Sequence, residues 1–188
     1  SSFVILNGCE FSSAVSINHG YSIRSFIYYS TFNSTVSLDA CELIGNTFNG
    51  QVSISANQYQ YNYNPPAIKI YANNFSYFSN QLSINYAYYS NIHIANNFFY
   101  YTNSSQNIYL AGSTNYKADK VIIENNIFRH TSTSSNSYYQ VHVSSSDFLF
   151  IRNNYFDVST NYTRGVSTSN IGIYDFQYNF SNTSSSNF

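Results

Sequence analysis

Acidic side chains are the residues that could carry acid–base or metal chemistry, and the chain has only eight among its 188 residues. They are Glu10, Asp39, Glu42, Asp119, Glu124, Asp147, Asp157 and Asp175. Glycoside hydrolysis needs two facing carboxyl groups, and calcium needs several clustered oxygens. No two acids are adjacent or two positions apart in the sequence. A pair could therefore form only across the fold, as between Asp147 and Asp157, and we interpret both as turn residues.

Histidine, the other side chain suited to proton transfer and metal binding, occurs at four positions, His19, His93, His130 and His142. Their spacing matches no zinc-binding pattern, and no cofactor-binding motif is present. We therefore expect neither a metal nor a cofactor. His93 and His142 fall at positions that we predict to point outward, so both are interpreted as surface residues.

Overall composition bears on the class of protein. Hydrophobic residues make up 43% of the chain, which argues against disorder, while charged residues make up only 8%. A net charge of −1 with seven basic residues provides no basic face, so we expect no nucleic-acid partner. No apolar run approaches the roughly 18 residues of a membrane span, so we expect no membrane insertion within this segment. Because the chain begins with Ser1 and contains no Met, we expect it to be one domain, residues 1–188, of a longer protein.

A six-residue pattern recurs along the chain: an apolar residue, any residue, a Gly- or Asn-like residue, an Asn-like residue, any residue and Phe. Its copies end at Phe11, Phe32, Phe48, Phe75, Phe99, Phe128 and Phe156, and a degenerate eighth copy is expected to end at Phe180. Between copies lies a second pattern, apolar–any–apolar. Its members are Val15/Ile17, Val36/Leu38, Val52/Ile54, Leu82/Ile84, Ile108/Leu110, Val141/Val143 and Ile171/Ile173. Alternation at period two in β-branched and aromatic residues predicts short strands with one buried face.

The columns of this repeat fit the turns of a stacked solenoid. The third position reads Gly8, Tyr29, Gly45, Ala72, Asn96, Asn125 and Asn153, and Gly and Asn accept the left-handed backbone that a sharp bend requires. The fourth position predicts a ladder of hydrogen-bonded amides from Asn46, Asn73, Asn97, Asn126 and Asn154. The Phe residues are expected to stack inside. Cys41 falls in an inward apolar column and Cys9 in the turn column, so a core thiol is favoured over a disulfide.

These repeats resemble those of right-handed parallel β-helix proteins, the pectin-lyase-like superfamily, which includes pectate lyases, polygalacturonases, phage tailspikes and surface adhesins. The resemblance implies an all-β, right-handed parallel β-helix of about seven or eight coils with an Asn ladder and internal Phe and aliphatic stacks. It implies the fold more strongly than any activity. Polygalacturonases carry paired Asp motifs, Gly-His-Gly and Arg-x-Lys, of which this chain has only the related Asn18-His19-Gly20. The tailspike and adhesin members are therefore the nearer comparison.

Two kinds of surface feature stand out. The outward position of the second strand pattern reads Ser16, Ser37, Ser53, Ser83, Tyr109, His142 and Gly172. The segments between strands are rich in Tyr and Asn, which suit contacts with sugars or proteins. The candidate contact residues are Tyr59, Tyr61, Tyr63, Tyr109, Tyr116, Tyr138 and Tyr139. Six sequons permit glycosylation, although so many are expected by chance in this composition: Asn33, Asn74, Asn103, Asn161, Asn179 and Asn182.

From these observations we expect a structural or adhesive module of an extracellular, cell-surface or virion-surface fibre, spike or filament. Its expected partners are other subunits of the assembly or copies of itself, and carbohydrate. The alternative is a polysaccharide lyase or glycoside hydrolase of the same superfamily. An acidic cluster in a groove would favour that alternative.

Overall fold

A computed structural model describes residues 3–17, 24–55, 67–77, 80–85, 89–101, 106–112, 117–130, 138–157 and 163–181. Within them the chain winds as a parallel β-helix, with three short strands in each of the first seven coils and two described strands in the eighth. Each strand pairs in parallel with the equivalent strand of the neighbouring coil. The predicted all-β solenoid is confirmed. Parallel strands buried along one face require an apolar residue at alternate positions, which the repeat supplies.

The three sheets run the length of the solenoid. The first sheet has eight strands: β1 (Phe3–Asn7), β4 (Arg24–Tyr28), β7 (Cys41–Ile44), β10 (Ala67–Tyr71), β13 (Asn91–Ala95), β16 (Ala118–Glu124), β19 (Ser146–Arg152) and β22 (Ile171–Gln177). The second also has eight: β2 (Glu10–Phe11), β5 (Thr31–Phe32), β8 (Thr47–Phe48), β11 (Asn74–Phe75), β14 (Phe98–Tyr101), β17 (Ile127–His130), β20 (Tyr155–Asp157) and β23 (Phe180–Ser181). The third has seven: β3 (Val15–Ile17), β6 (Val36–Leu38), β9 (Val52–Ser55), β12 (Leu82–Asn85), β15 (Ile108–Ala111), β18 (Tyr138–Val143) and β21 (Thr163–Thr168).

The turn between the first and second sheets has the left-handed backbone that the third repeat position predicts. The φ angle is positive at Gly8, Tyr29, Gly45, Ala72, Asn96, Asn125, Asn153 and Tyr178. Gly45 is needed for a second reason, because a Cβ there would lie 2.7 Å from Cδ1 of the Tyr29 ring. Stacking of the coils therefore imposes the left-handed backbone at this turn. Tyr29 and Ala72 adopt it although their side chains disfavour a positive φ.

The core is a set of stacked columns. The rings of Phe11, Phe32, Phe48, Phe75, Phe99, Phe128 and Phe156 stack with centroids 4.7–5.2 Å apart. This spacing matches the distance between neighbouring strands, so each ring lies against the ring of the next coil. Aliphatic side chains of the first and third sheets fill the remaining interior, and most are fully buried.

The predicted amide ladder is also confirmed. Nδ2 of Asn97 donates to Oδ1 of Asn126 at 3.0 Å and to the carbonyl oxygen of Ile70 at 2.8 Å. Its own Oδ1 accepts from the backbone N–H of Asn73 at 2.9 Å. The same arrangement links the five predicted residues, Asn46, Asn73, Asn97, Asn126 and Asn154. Each side chain therefore satisfies polar groups of the coil before it and the coil after it.

The last coil differs from its prediction. Asn179 is the next rung of the ladder, because its Oδ1 accepts from Nδ2 of Asn154 at 2.9 Å. Ser181 pairs with Phe156 and so occupies the Phe column. Phe180 lies one position before it and pairs with Tyr155. The eighth copy thus ends one residue later than expected, because its sixth position is Ser and not Phe.

The pattern Ile171/Ile173 was also assigned to the wrong sheet. Both residues lie in β22 of the first sheet, and the third-sheet pattern continues instead through Val166 and Thr168. Alternation of apolar residues does not distinguish one sheet of the solenoid from another, so only the stacking register separates them.

Candidate functional site

A hydrogen-bonded line of side chains crosses four coils on the outer face of the first sheet. The hydroxyl of Tyr71 lies 2.9 Å from Nδ1 of His93, and Nε2 of His93 lies 2.8 Å from Oε1 of Glu124. The other oxygen of Glu124 accepts from Nε of Arg152 at 2.8 Å. These residues belong to β10, β13, β16 and β19, and all lie at outward positions of their strands. Tyr71, Glu124 and Arg152 share one column of the sheet, with Ala95 between Tyr71 and Glu124. His93 lies in the neighbouring column, so its ring contacts Tyr71 and Glu124 diagonally across the strands.

The neighbouring charges shift the pKa values of Glu124 and Tyr71 in opposite directions. Burial raises the pKa of Glu124, but hydrogen bonds and charges from Arg152 and His93 outweigh it, so that pKa is lowered overall. Because an ionised carboxylate only accepts, Nε2 of His93 donates to Glu124, while the direction of the bond between Nδ1 and the Tyr71 hydroxyl depends on whether Nδ1 carries a hydrogen. Burial, with the charges of Glu42 and Glu124, raises the pKa of Tyr71, which keeps its phenol protonated. The arrangement is a hydrogen-bonded chain that links a phenol to a carboxylate through an imidazole.

A second polar group lies beside this line. Lys69 forms an ion pair of 3.2 Å with Glu42, whose Oε1 also accepts from the Tyr28 hydroxyl at 3.2 Å. Lys69, Tyr71 and His93 line one shallow groove together with Lys120 and Ile122. The Lys120 ammonium lies over the Phe150 ring, 5.6 Å from its centroid. The groove therefore combines cationic, aromatic and hydrogen-bonding groups on an otherwise flat sheet.

Two carboxylates approach each other at the start of β16 and β19. Burial, and then the charge of Asp147, raise the pKa of Asp119. Asp147 also contacts Nζ of Lys117 at 3.4 Å. Asp147 and Asp157, which we interpreted as turn residues, lie instead in strands β19 and β20 of different sheets, and Asp157 lies beside Arg129. Among the described residues, no group of three or more His, Cys, Asp or Glu side chains could hold a metal ion.

The outward positions of the third sheet form the expected line of small polar side chains, with one correction. His142 pairs with Ser167, so Ser167 takes the place assigned to Gly172, which lies in the first sheet. Tyr109 and His142 stack with ring centroids 5.4 Å apart. Burial lowers the pKa of His142, so this histidine is half-buried and does not behave as the freely exposed residue that we expected.

Of the seven predicted contact residues, three lie in the part of the chain that the structure describes. Tyr109 and Tyr139 are half-buried on the third sheet, and Tyr138 is described in its backbone alone. The remaining four lie outside the described residues, namely Tyr59, Tyr61, Tyr63 and Tyr116. They stay predictions.

The sequons divide into three groups. Asn33 and Asn74 have exposed side chains, and Asn33 joins an outer line of hydrogen bonds by donating to Glu10 and accepting from Asn49. Asn179 uses its Nδ2 to donate to Ile151 in the inner ladder, so a glycan there would replace a ladder hydrogen bond. The other three sequons, Asn103, Asn161 and Asn182, lie outside the described part of the chain.

Both cysteines are free. Cys41 is buried in the core column, as expected, and burial raises the pKa of its thiol. Cys9 is half-buried at the turn, where its backbone N–H donates to Oγ of Ser30 and thereby extends the line of the ladder to the first coil. The buried Cys41 thiol is not placed for nucleophilic chemistry, because a reactive cysteine needs a lowered pKa.

The line from Tyr71 to Arg152 was only half predicted. Glu124 and Arg152 share the second position of the repeat, which predicts that they pair across adjacent coils, and the structure confirms this pairing. His93 was read as an isolated surface residue. His93, Tyr71 and Glu124 occupy outward positions of successive first-sheet strands. This shared outward placement is the sequence feature that indicates a contact between them.

Comparison with known proteins gives no assignment: no family model, curated protein or solved structure matches the chain. In the part of the chain that the structure describes, no helix has the length and apolar character needed to cross a membrane. Its function must therefore be argued from its own side chains.

Proposed function

We propose that this chain is a structural or adhesive module of an extracellular, cell-surface or virion-surface fibre, spike or filament. It would belong with the tailspike- and adhesin-type members of the pectin-lyase-like superfamily. The observation that carries the proposal is the Asn ladder, which joins the coils from Asn46 to Asn179 through neutral, buried amides. Together with the Phe column it makes an elongated body in which no coil can shift without breaking hydrogen bonds on both sides.

The proposed partners are other subunits of the assembly and carbohydrate. Aromatic side chains are suited to sugar and protein contacts, and the half-buried Tyr109, stacked on His142, would provide such a contact on the third sheet. Ser83, beside Tyr109, is buried, and the small side chains of Ser16, Ser37 and Ser53 beyond it would accommodate an extended ligand. In this function the sheets provide rigid spacing and the side chains on them provide recognition.

A polysaccharide lyase is the second candidate, and the Tyr71–His93–Glu124 chain favours it. A base that removes a proton beside a sugar carboxylate must lie near a cation that neutralises that carboxylate. Tyr71 and His93 line a groove that also contains Lys69 and Lys120. The groove thus holds a phenol and an imidazole near two ammonium groups, which is the set of groups that proton abstraction needs. The Tyr71 hydroxyl and the His93 ring are hydrogen-bonded to each other.

One experiment separates the two candidates. The chain is incubated with a panel of neutral and acidic polysaccharides, and retention on the polymer and release of reducing or unsaturated ends are measured together. The structural or adhesive function predicts retention without cleavage, which Tyr109→Ala weakens and His93→Gln leaves unchanged. Cleavage that His93→Gln abolishes would replace the proposal by the lyase. A chain that neither binds nor cleaves any polymer would remove the carbohydrate partner.

A further inference from the structure

The outer face of the first sheet is apolar at both ends and charged in the middle. At one end the exposed side chains are Phe3 and Ile5, which are 63% and 57% exposed. At the other end they are Phe148 and Ile173, which are 44% and 56% exposed. Soluble monomers seldom present large apolar groups at two places on one flat face, and such faces mark interaction sites.

We propose that this face pairs with the same face of a second copy of the chain, with the two solenoid axes antiparallel. The inference rests on the proposed function, since it names one of the partner subunits that function requires. A two-fold axis along the strand direction brings the first coil of one copy over the eighth coil of the other. Such an interface is isologous, so each contact occurs twice.

The antiparallel arrangement matches apolar residues with each other. Phe3 lies opposite Ile173 of the second copy, because both hold the first outward position of their strands. In the same way Phe26 lies opposite Phe150, one strand further in from each end. Ile5 lies opposite Asp175 and is the weakest of these contacts. The apolar ends are therefore covered twice in each pair of copies.

Charge distinguishes this arrangement from the alternative with parallel axes. With parallel axes each coil lies opposite itself, so Glu42 would meet Glu42 and Lys69 would meet Lys69 of the second copy. With antiparallel axes Glu42 lies opposite Ile122, so the two Glu42 carboxylates are kept apart, and Arg24 lies over the ring of Phe148. Like charges directly opposed are destabilising, while a cation over an aromatic face is favourable.

The face is large enough for a stable contact. The first sheet has eight strands, so at about 4.8 Å between strands and about 3.3 Å per residue its outer face measures roughly 38 by 17 Å. Two such faces bury about 1,200–1,300 Å² in total, which lies at the lower end of the range of specific interfaces. We therefore expect a dissociation constant in the micromolar range.

Sedimentation velocity on the full chain, over protein concentrations from about 1 to 100 µM at physiological salt, tests for the pair. We expect a monomer–dimer equilibrium that Phe148→Asp and Ile173→Asp each weaken at least tenfold. Ile127→Asp is the matched control, because Ile127 is similarly exposed on the second sheet and should leave the equilibrium unchanged. A chain that remains monomeric at every concentration, or a dimer that the control alone weakens, would overturn the proposal.

Cross-linking tests the geometry without relying on destabilising variants. In a Cys9→Ser background, chains with Phe26→Cys and chains with Phe150→Cys are mixed and treated with a bismaleimide that spans roughly the 10 Å between packed sheets. The antiparallel pair predicts cross-links in the mixture and few in either chain alone. Cross-links within the Phe150→Cys chain alone would show parallel axes and overturn it. The polysaccharide experiment is independent of both results, so failure of the pairing and failure of the proposed function are distinguishable.

Discussion

The guanidinium of Arg152 donates from Nε to Oε2 of Glu124 at 2.8 Å, across two adjacent coils of the first sheet. The two residues are direct partners in the register of β16 and β19. Their pairing shows that one repeat position of one coil contacts the same position of the next.

A double-mutant cycle measures this pair. The Arg152 and Glu124 side chains are 44% and 17% exposed, so we expect a coupling of about 0–1 kcal/mol that decreases at high salt. Glu124→Gln and Arg152→Gln, singly and together, are compared by chemical denaturation. Pairing Arg152→Gln with Lys120→Gln should give no coupling, and a coupling there equal to that of Glu124 would contradict the assignment.

Asn97→Ala tests the middle of the ladder. It removes the acceptor of the Asn73 backbone N–H and leaves Oδ1 of Asn126 without one of its donors. Because these groups are buried, we expect the free energy of unfolding to fall by roughly 1–3 kcal/mol. Asn91→Ala, at an exposed outward position, is the control and should change stability by less than about 0.5 kcal/mol. Equal effects of the two substitutions would mean that the ladder contributes little.

Phe99→Ala tests the aromatic column. Phe99 is fully buried, with ring centroids 4.7 Å from Phe75 and 4.9 Å from Phe128. Removing the ring leaves a cavity between two coils, so we expect a loss of about 3–5 kcal/mol in the free energy of unfolding. Phe98→Ala, on the outward side of the same strand, should cost much less. Urea denaturation of both variants gives the comparison, and a larger loss for Phe98→Ala would reverse the inward and outward assignment.

Ala72→Gly should stabilise the protein slightly. Ala72 has a φ of 56°, which disfavours any side chain by roughly 1–2 kcal/mol. Glycine removes that strain but gains about 0.4–1 kcal/mol of unfolded-state entropy, so we expect a net gain of about 0.5 kcal/mol. Ala95→Gly, in a strand of ordinary backbone, is the control and should destabilise. The melting temperatures of the two variants should therefore move in opposite directions.

We expect the melting temperature to change little between pH 7 and pH 3. The lowered pKa of Glu124 means that its contribution is present above its ordinary value of 4.5 and is lost as the pH falls through the lowered value. The raised pKa of Asp119 has the opposite sign, because its ionised form destabilises the fold and is neutralised as the pH falls. The uncharged amides of the ladder do not titrate in this range.

His142 adds a small decline on the acid side. Because burial lowers its pKa in the folded protein, the unfolded chain binds the proton first, and stability falls as the pH drops below the ordinary value of 6.5. His142→Gln should remove that decline. Thermal melts followed by circular dichroism check both expectations. A large cooperative loss near pH 4–5 would show that a few carboxylates stabilise the fold far more than their contacts imply, and would favour the enzyme alternative.

The repeat alone was sufficient to predict the fold, because a solenoid uses local rules in every coil. Left-handed turn residues, a ladder amide and an inward Phe recur together, so each copy specifies the same bend and the same buried face. In the degenerate eighth copy the predicted end, Phe180, was wrong by one position, because Asn179 is the ladder residue and Ser181 occupies the Phe column. A single Ser in place of Phe removed the marker that sets the register.

By itself the sequence determined the parallel β-helix, the rungs from Asn46 to Asn154 and the pairing of Glu124 with Arg152, since residues at equal repeat positions must stack. The tertiary structure alone decided that His93 joins Tyr71 to Glu124, that Asp119 approaches Asp147, and that Ile171 and Ile173 belong to the first sheet. These contacts depend on segments of unequal length between the repeats. Such segments change the number of residues between equivalent strands but not the distance between coils. The number of residues that separates two outward side chains therefore does not predict whether they become neighbours.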